Sequence, residues 1–556
     1  MAGVLSPIPE EASSLSRRIT NSTTLVAGAA AALLALTACS SGVAPTAEVS
    51  SADEPRYGGT LTFLEPQAPT CAYSAHSYYP NATIMNQVGA KLTYQDPETL
   101  EITPWLATSW EVNEEATEYT FELRDDVTFS DGTPLEAATV ALNFDHFGLG
   151  DAALGLAKQE FVSNYDHSEV VDENTVTFVF SAPSPGFLQA TSVVGATIVA
   201  RATAELPLEE QCQYENYVSL GPFTIENVVP EQQYDLAVRE DYDWAPEISE
   251  HQGRAYVDAI SIVVTPEDNV RTGALSSNQA DAIRGVQVYD VPGLEQSGAT
   301  VEYASINGVN ALFALRPGNE LLSDERVREA LVLGTDVSAA VDSTFQGEYT
   351  RATSVLSSRA AGYVDLSDEL AYDPGAAREI LDEAGWVPGE DGIRVKDGRR
   401  LELTTWTAVV YPLNQELDEL IAEQWEDIGV KLIIETPDAA TSTATQKDPN
   451  EVGVYLTQVG RADPDVISSA FLSTSTRNVL VWQDPELDAI LTDISRLPDA
   501  ADRVAKAQEA QEYLVANHYV IPLYELPQTY ATAAATHGLG WEAVGRLWLY
   551  DTWLSE

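Results

Sequence analysis

One apolar run in the 556 residues, Leu25 to Leu36, is long enough to target the chain to a membrane, and it sets the environment in which the rest must fold. It is too short to cross a hydrocarbon core of about 30 Å, which takes roughly 20 apolar residues. With Arg17 and Arg18 ahead of it, the run reads as the core of a signal peptide. No later segment holds 18 consecutive apolar residues. The body is therefore expected to fold in water on the far side of a membrane. It is several times the usual domain size, so it should divide into at least two lobes.

The run leads into Leu36-Thr37-Ala38-Cys39. A small residue just before cysteine, with leucine three before it, resembles the lipobox of bacterial lipoproteins, which implies that Cys39 is lipidated and becomes the mature N-terminus. The arginine pair also suggests twin-arginine export, but Ile19-Thr20-Asn21 lacks the apolar residues that signal prefers, so general secretion is the expected route. Residues 1–38 are read as the lipoprotein signal peptide and 39–56 as a flexible tether, since Ser40 to Pro55 is rich in Ser, Ala, Pro and acidic residues without apolar periodicity. The expected state is extracytoplasmic, anchored to the cell membrane by lipid alone. Once Cys39 is set aside, Cys71 and Cys212 remain; outside the cytoplasm such a pair reads as a disulfide, with two separate buried thiols as the alternative.

The 29 Lys and Arg against 86 Asp and Glu give a net charge of −57, and the signal peptide removes equal numbers of each sign (Glu10, Glu11, Arg17, Arg18). A field of that sign repels phosphate backbones and anionic lipid surfaces, which excludes nucleic acid as a partner. The simplest role of the acidity is a soluble surface. Hydrophobic residues at 44% and charged residues at 21% are otherwise the balance of a globular protein.

Apolar periodicity along the body alternates between strands and helices. Gly58-Gly59-Thr60-Leu61-Thr62-Phe63 and Tyr119 to Leu123 read as strands, and Val170 to Phe180 as paired strands around Asp172-Glu173-Asn174. Thr133, Pro134 and Glu136 spell a capping box, which predicts a helix from there to about Phe147. In the second half, Leu417, Leu420, Ile421, Trp425 and Ile428 share a helical face that Gly429 stops before the β-branched run Val430 to Ile434. Ala376 to Trp386 repeats that stop at Gly385, and a last helix from about Arg503 to His518 precedes the strand Val520 to Tyr524. No fixed-period repeat is present.

The chemistry of turnover is not spelled out anywhere. There is no Gly-x-Ser-x-Gly elbow, phosphate loop or His-Glu-x-x-His, and Gly148-x-Gly150 has no strand before it. The six histidines, His76, His146, His167, His251, His518 and His537, show no pair at helical ligand spacing. Carboxylate pairs such as Asp125-Asp126 carry little information among 86 acidic residues. No enzyme activity, cofactor or metal is expected.

Read in order, the blocks Leu92-Thr93-Tyr94, Glu101 to Trp110, Tyr119 to Arg124, Val127 to Pro134, Gly221-Pro222-Phe223, Asp324 to Leu331, Ala377 to Trp386 and Leu417 to Ile434 resemble the extracellular solute-binding proteins of family five, the group that holds oligopeptide, dipeptide and nickel binders. The resemblance spans nearly the whole mature chain. It implies an α/β, two-lobed fold of the periplasmic-binding-protein type II kind, with an extra domain inserted in the first lobe. The corresponding boundaries are 57–300 for the first lobe, with the insertion at about 91–214, then 301–524 for the second lobe and 525–556 for a return to the first. It also implies the function: a monomeric substrate-binding component of an ABC importer, which captures a small solute between the lobes and hands it to the membrane permease. Peptide is the first ligand class, with nickel chelates, opines and sugars open; a secreted hydrolase would need a nucleophile or acid/base set that the sequence does not display.

Within Gly460-Arg461-Ala462-Asp463-Pro464-Asp465, Asp463 matches the place where peptide-binding members carry an aspartate that pairs with the ligand's α-ammonium. The alternative is a turn or helix cap before Pro464. Trp406 and Tyr411 follow the strand Leu401 to Thr405, where family members present aromatic pocket walls, with core packing as the alternative.

Overall fold

Gly58 and Gly59 both hold positive φ, 119° and 87°, a conformation that suits glycine, and turn the chain into the strand Thr60–Glu65. A computed structural model of the protein describes residues 54–76, 78–407 and 413–555; Cys39 and Tyr411 lie outside the described residues. Thr60–Glu65 sits in a seven-stranded sheet ordered Thr300–Ser305, Pro527–Thr532, Ala282–Arg284, Thr60–Glu65, Ala259–Val264, Gln233–Val238, Phe223–Val229. It runs parallel to both its neighbours, and Leu61 and Phe63 are fully buried, as expected of a central strand.

Between this strand and Phe223–Val229 the chain builds a separate four-stranded antiparallel sheet, ordered Ala107–Val112, Glu118–Leu123, Thr175–Phe180, Tyr165–Val170. The helix Ala137–Leu149 packs across its last two strands. Phe144 contacts Phe178 and Phe187 with ring centroids 4.6 and 5.6 Å apart, in tilted and edge-on arrangements that favour the ring quadrupoles. The predicted capping box does not form. The Thr133 hydroxyl donates to Asp131, Leu135 N–H to the Val127 carbonyl, and Pro134 bridges Thr128, so a tight turn takes up the segment and the helix begins at Ala137.

The second lobe has a five-stranded sheet ordered Lys431–Glu435, Glu402–Trp406, Val454–Gly460, Gly308–Leu315, Val520–Tyr524. Its α/β unit runs from the helix Asn414–Asp427, through Gly429 at φ 86°, into Lys431–Glu435, which lies parallel to Glu402–Trp406. Leu417, Ile421 and Trp425 of that helix are buried. The chain passes from the first sheet to the second at 306–307 and back at 525–526. It leaves the first sheet after residue 305 rather than 300, because Thr300–Ser305 pairs antiparallel with Pro527–Thr532. Buried apolar side chains form two large clusters, one under the first sheet and insertion and one around Phe313, Trp425 and Leu523, with a smaller third around Leu64, Ile283 and Leu294. The two lobes are joined by these two short crossings. No helix among the described residues is long and apolar enough to cross a membrane.

Candidate functional site

The second lobe's contribution to the cleft begins where the strand Val454–Gly460 ends. Gly460 pairs with Gly308, whose φ is 138° and where an added Cβ would meet the Val459 carbonyl oxygen at 2.2 Å. That close approach brings Arg461 to the crossing point, where its N–H donates to the Asn307 carbonyl at 2.9 Å. The turn Arg461-Ala462-Asp463-Pro464-Asp465 then feeds the short helix Val466–Phe471.

This turn faces the inserted domain across a chamber of about 320 Å³. Glu160, Phe161, Gly186 and Phe187 line one side, and Arg461, Asp463, Asp465, Ser468, Ser469 and Thr474 the other. A second chamber of about 130 Å³ shares Phe161, Gln189 and Arg461 with it and is completed by Lys91, Tyr94, Glu542, Val544 and Arg546. The larger chamber is within the range of small-molecule sites, and its position between two lobes is a usual one for such sites.

The charges in the larger chamber are arranged across the lobes. Glu160, from the insertion, accepts from Arg461 Nη2 at 2.8 Å, from the Ser469 hydroxyl at 2.6 Å and from Arg477 Nε at 3.1 Å, all on the second lobe. Burial works against its ionised form, but the Ser469 hydroxyl and the charges of Arg461 and Arg477 outweigh that and hold the carboxyl below its usual range. Arg461 Nη1 also reaches Asp465 Oδ1 at 3.0 Å. Asp465 behaves in the opposite way: burial pushes its carboxyl up to about 6, opposed by Arg461 and reinforced by the neighbouring charge of Asp463. The ionised form of Asp465 is thus incompletely compensated by the protein.

Asp463 lines the larger chamber, and an added Cβ on Gly186 of the insertion would come within 3.4 Å of its carboxyl carbon. Both its oxygens are engaged by Arg503, Oδ2 at 3.1 Å from Nη1 and Oδ1 with Nη2, and Oδ1 also accepts the Asp465 N–H at 2.9 Å. Each side chain of this pair is 7% exposed. The carboxylate is therefore neutralised from within the second lobe and caps its own turn. Trp406 is not among the residues lining either chamber. It ends the strand Glu402–Trp406 opposite Glu435 and is buried. Cys71 and Cys212 are joined by a disulfide that ties the segment after the central strand to the insertion. Glu160, Arg503 and Arg546 carry no motif, and their placement comes from tertiary contacts between segments far apart in sequence.

In the smaller chamber, Lys91 Nζ pairs with Glu542 and lies 5.3 Å from the centre of the Trp105 ring. Arg546 stands on the same hairpin as Glu542, its guanidinium 5.5 Å from the centre of the Tyr79 ring.

Residues 101–479 match the sequence profile of the bacterial extracellular solute-binding proteins, family 5 (middle). The chain belongs to that family. Among relatives of this family 5 solute-binding protein, heme-binding protein A of Haemophilus influenzae is 25% identical over 460 residues, covering 76% of this chain and 79% of the relative. The dipeptide-binding protein of Escherichia coli (strain K12) is 24% identical over 452 residues, covering 74% and 79%. The solved structure of the oligopeptide-binding protein AppA from Bacillus subtilis in complex with a nonapeptide superposes with a TM-score of 0.74 at 20% identity, covering 90% of this chain and 100% of that one, and shares the two-lobed fold. A family 5 solute-binding protein is the substrate-binding component of an ABC importer and works on the extracytoplasmic side.

Proposed function

We propose that this protein captures a short peptide with a free amino terminus in the cleft between its lobes, without chemical turnover, and presents it to the permease of an ABC importer while tethered by lipid at Cys39 as a monomer. The observation that carries the ligand class is Asp465. It lines the larger chamber, and its partner Arg461 is shared with Glu160, so burial still pushes its carboxyl up and an entering ammonium would favour the ionised form. Asp463, already paired with Arg503, adds its field to that position rather than a free acceptor. Ser468, Ser469, Thr474, Ser475 and Thr476 surround the site with hydroxyls suited to peptide groups. Among the described residues, those lining the two chambers include neither histidine nor cysteine, so this donor set suits hydrogen-bonded recognition better than ligation of a heme iron or a nickel chelate.

Mass spectrometry of the exported protein, extracted from membranes with detergent, tests both parts. The polypeptide is expected to begin at an acylated Cys39 and to release, on denaturation, masses that fragment as peptides. A bound tetrapyrrole or metal chelate would overturn the ligand class, and an unmodified N-terminus the anchor.

A further inference from the structure

The disulfide of the first lobe has a third donor beside it. His76 Nδ1 lies 3.2 Å from Cys71 Sγ, and this nitrogen and the sulfurs of Cys71 and Cys212 all fall within 4.8 Å of one another. Among the described residues this is where three metal-ligating side chains converge, in a chain whose 86 carboxylates make no such group. Two thiolates and an imidazole on one tetrahedral zinc ion stand about 3.6–3.8 Å apart, given bonds of about 2.3 Å to sulfur and about 2.0 Å to nitrogen. The three donors fit that spacing once the S–S bond is open. None of them lines either chamber, so the group stands apart from ligand capture.

The backbone beneath these side chains is held without help from the sulfur bridge. Asn81, fully buried in the helix Tyr79–Val88, accepts the Thr70 N–H at 2.8 Å and the Cys71 N–H at 3.4 Å on Oδ1, and its Nδ2 donates to the His76 carbonyl at 2.6 Å. One amide thus fixes Cys71 relative to His76. The Tyr214 hydroxyl, two residues after Cys212, lies 3.1 Å from Asn81 Oδ1 and 3.3 Å from the Cys71 carbonyl, and the Ala72 N–H donates to the Cys212 carbonyl at 3.0 Å. These bonds fix the second cysteine against the first. The His76 ring stands edge-on to the buried ring of Tyr73, with centroids 5.4 Å apart. Cys71 is buried, Cys212 half-buried and His76 exposed, so the group opens to solvent on its imidazole side, where an ion can enter and water can complete a fourth position.

We infer that Cys71, Cys212 and His76 form a redox-gated site for a zinc-type divalent cation, in which metal and disulfide are alternative cross-links of the same two segments. Two equivalents of a small thiol, or one of a dithiol, open the site. The S–S bond breaks, two electrons and two protons arrive as two S–H groups, and the reductant leaves as its own disulfide. Zn²⁺ then displaces both thiol protons to solvent and takes its third bond from His76 Nδ1. Thiolate and imidazole donors select zinc over calcium or magnesium, which take oxygen ligands. The oxidised protein offers no thiolate and therefore no site.

The test titrates Zn²⁺ and Co²⁺ into the mature protein, both oxidised and after reduction with dithiothreitol and desalting under nitrogen. His76→Ala and the double variant Cys71→Ser with Cys212→Ser are treated in the same way. The reduced protein is expected to bind one ion per chain, with thiolate-to-cobalt absorption for Co²⁺ and a raised melting temperature for Zn²⁺. The oxidised protein and the double-serine variant are expected to show neither. In reduced His76→Ala the affinity should fall at least about tenfold, the lower end of what even an outer-shell partner of a metal contributes, while its oxidised form melts with the wild type. If reduction alone unfolds the chain, as circular dichroism would show, Zn²⁺ should refold it and should fail to refold His76→Ala. Absence of binding or refolding, binding that His76→Ala leaves undiminished, or equal binding by the oxidised protein would overturn the inference.

Discussion

Arg503→Ala is expected to lower the stability of the second lobe by about 3–5 kcal/mol, the usual consequence of leaving one member of a buried ion pair without its partner. The orphan would be Asp463, 7% exposed and held in the turn by its own bond to the Asp465 N–H. Asp463→Asn should also destabilise, by less, because the amide keeps an acceptor for that N–H while the charge facing Arg503 is lost. The double change Asp463→Asn with Arg503→Ala should cost less than the sum of the two singles, since neither charge is then left buried without its partner. Denaturant unfolding of the two singles and the double, followed by fluorescence and circular dichroism together, reads the coupling directly. Strict additivity, with Arg503→Ala near wild type, would show that the pair contributes nothing and that Asp463 is free for another partner.

Breaking the disulfide is the other large effect. Cys71 and Cys212 are 141 residues apart in sequence, so the bond removes a long loop from the unfolded ensemble, and Cys71→Ser with Cys212→Ser is expected to cost roughly 2–5 kcal/mol. Binding should survive at temperatures where the variant is folded, because neither cysteine lines the chambers. Thiol labelling of the denatured, unreduced mature protein is expected to modify neither residue. Two labelled cysteines, or a double-serine variant as stable as the wild type, would contradict this.

Much of the architecture was legible because it is local. The helix Asn414–Asp427 stopped by Gly429, the strand Lys431–Glu435 and the hairpin Tyr165–Val170 with Thr175–Phe180 each follow from periodicity and a turn residue within a short window. The capping box at Thr133 failed for the same reason that such signals often mislead: Asp131 and the Thr128–Pro134 bridge offered the segment competing hydrogen bonds that a helix start could not match. The cleft was legible only in part. Asp463 could be assigned to it by resemblance, but its partner Arg503 lies 40 residues on, in the helix Ala500–Ala516, where arginine reads as a solvated residue. Glu160 meets Arg461 across 301 residues and Arg546 gains its place from hydrogen bonds made by Tyr79, Asn307 and Tyr530, so no local pattern marks either one. Trp406, an aromatic at a strand end, is buried and lines neither chamber.

The measurement that bears most directly on ligand capture is a calorimetric titration of the mature protein with di- and tripeptides, free and N-acetylated, at pH 5 and pH 7. In the free protein the Asp465 carboxyl is raised to about 6, so it is largely protonated at pH 5 and largely ionised at pH 7. An ammonium binds the ionised form, and binding at the lower pH must therefore expel a proton. Affinity for a free-amine peptide is expected to rise by about tenfold from pH 5 to pH 7, with proton release that fades above pH 7 and with N-acetylation abolishing both the affinity and the pH dependence. Tight binding of the acetylated peptides with no dependence on pH, or no saturable binding of any peptide, would contradict the assignment of this cleft to a peptide amine.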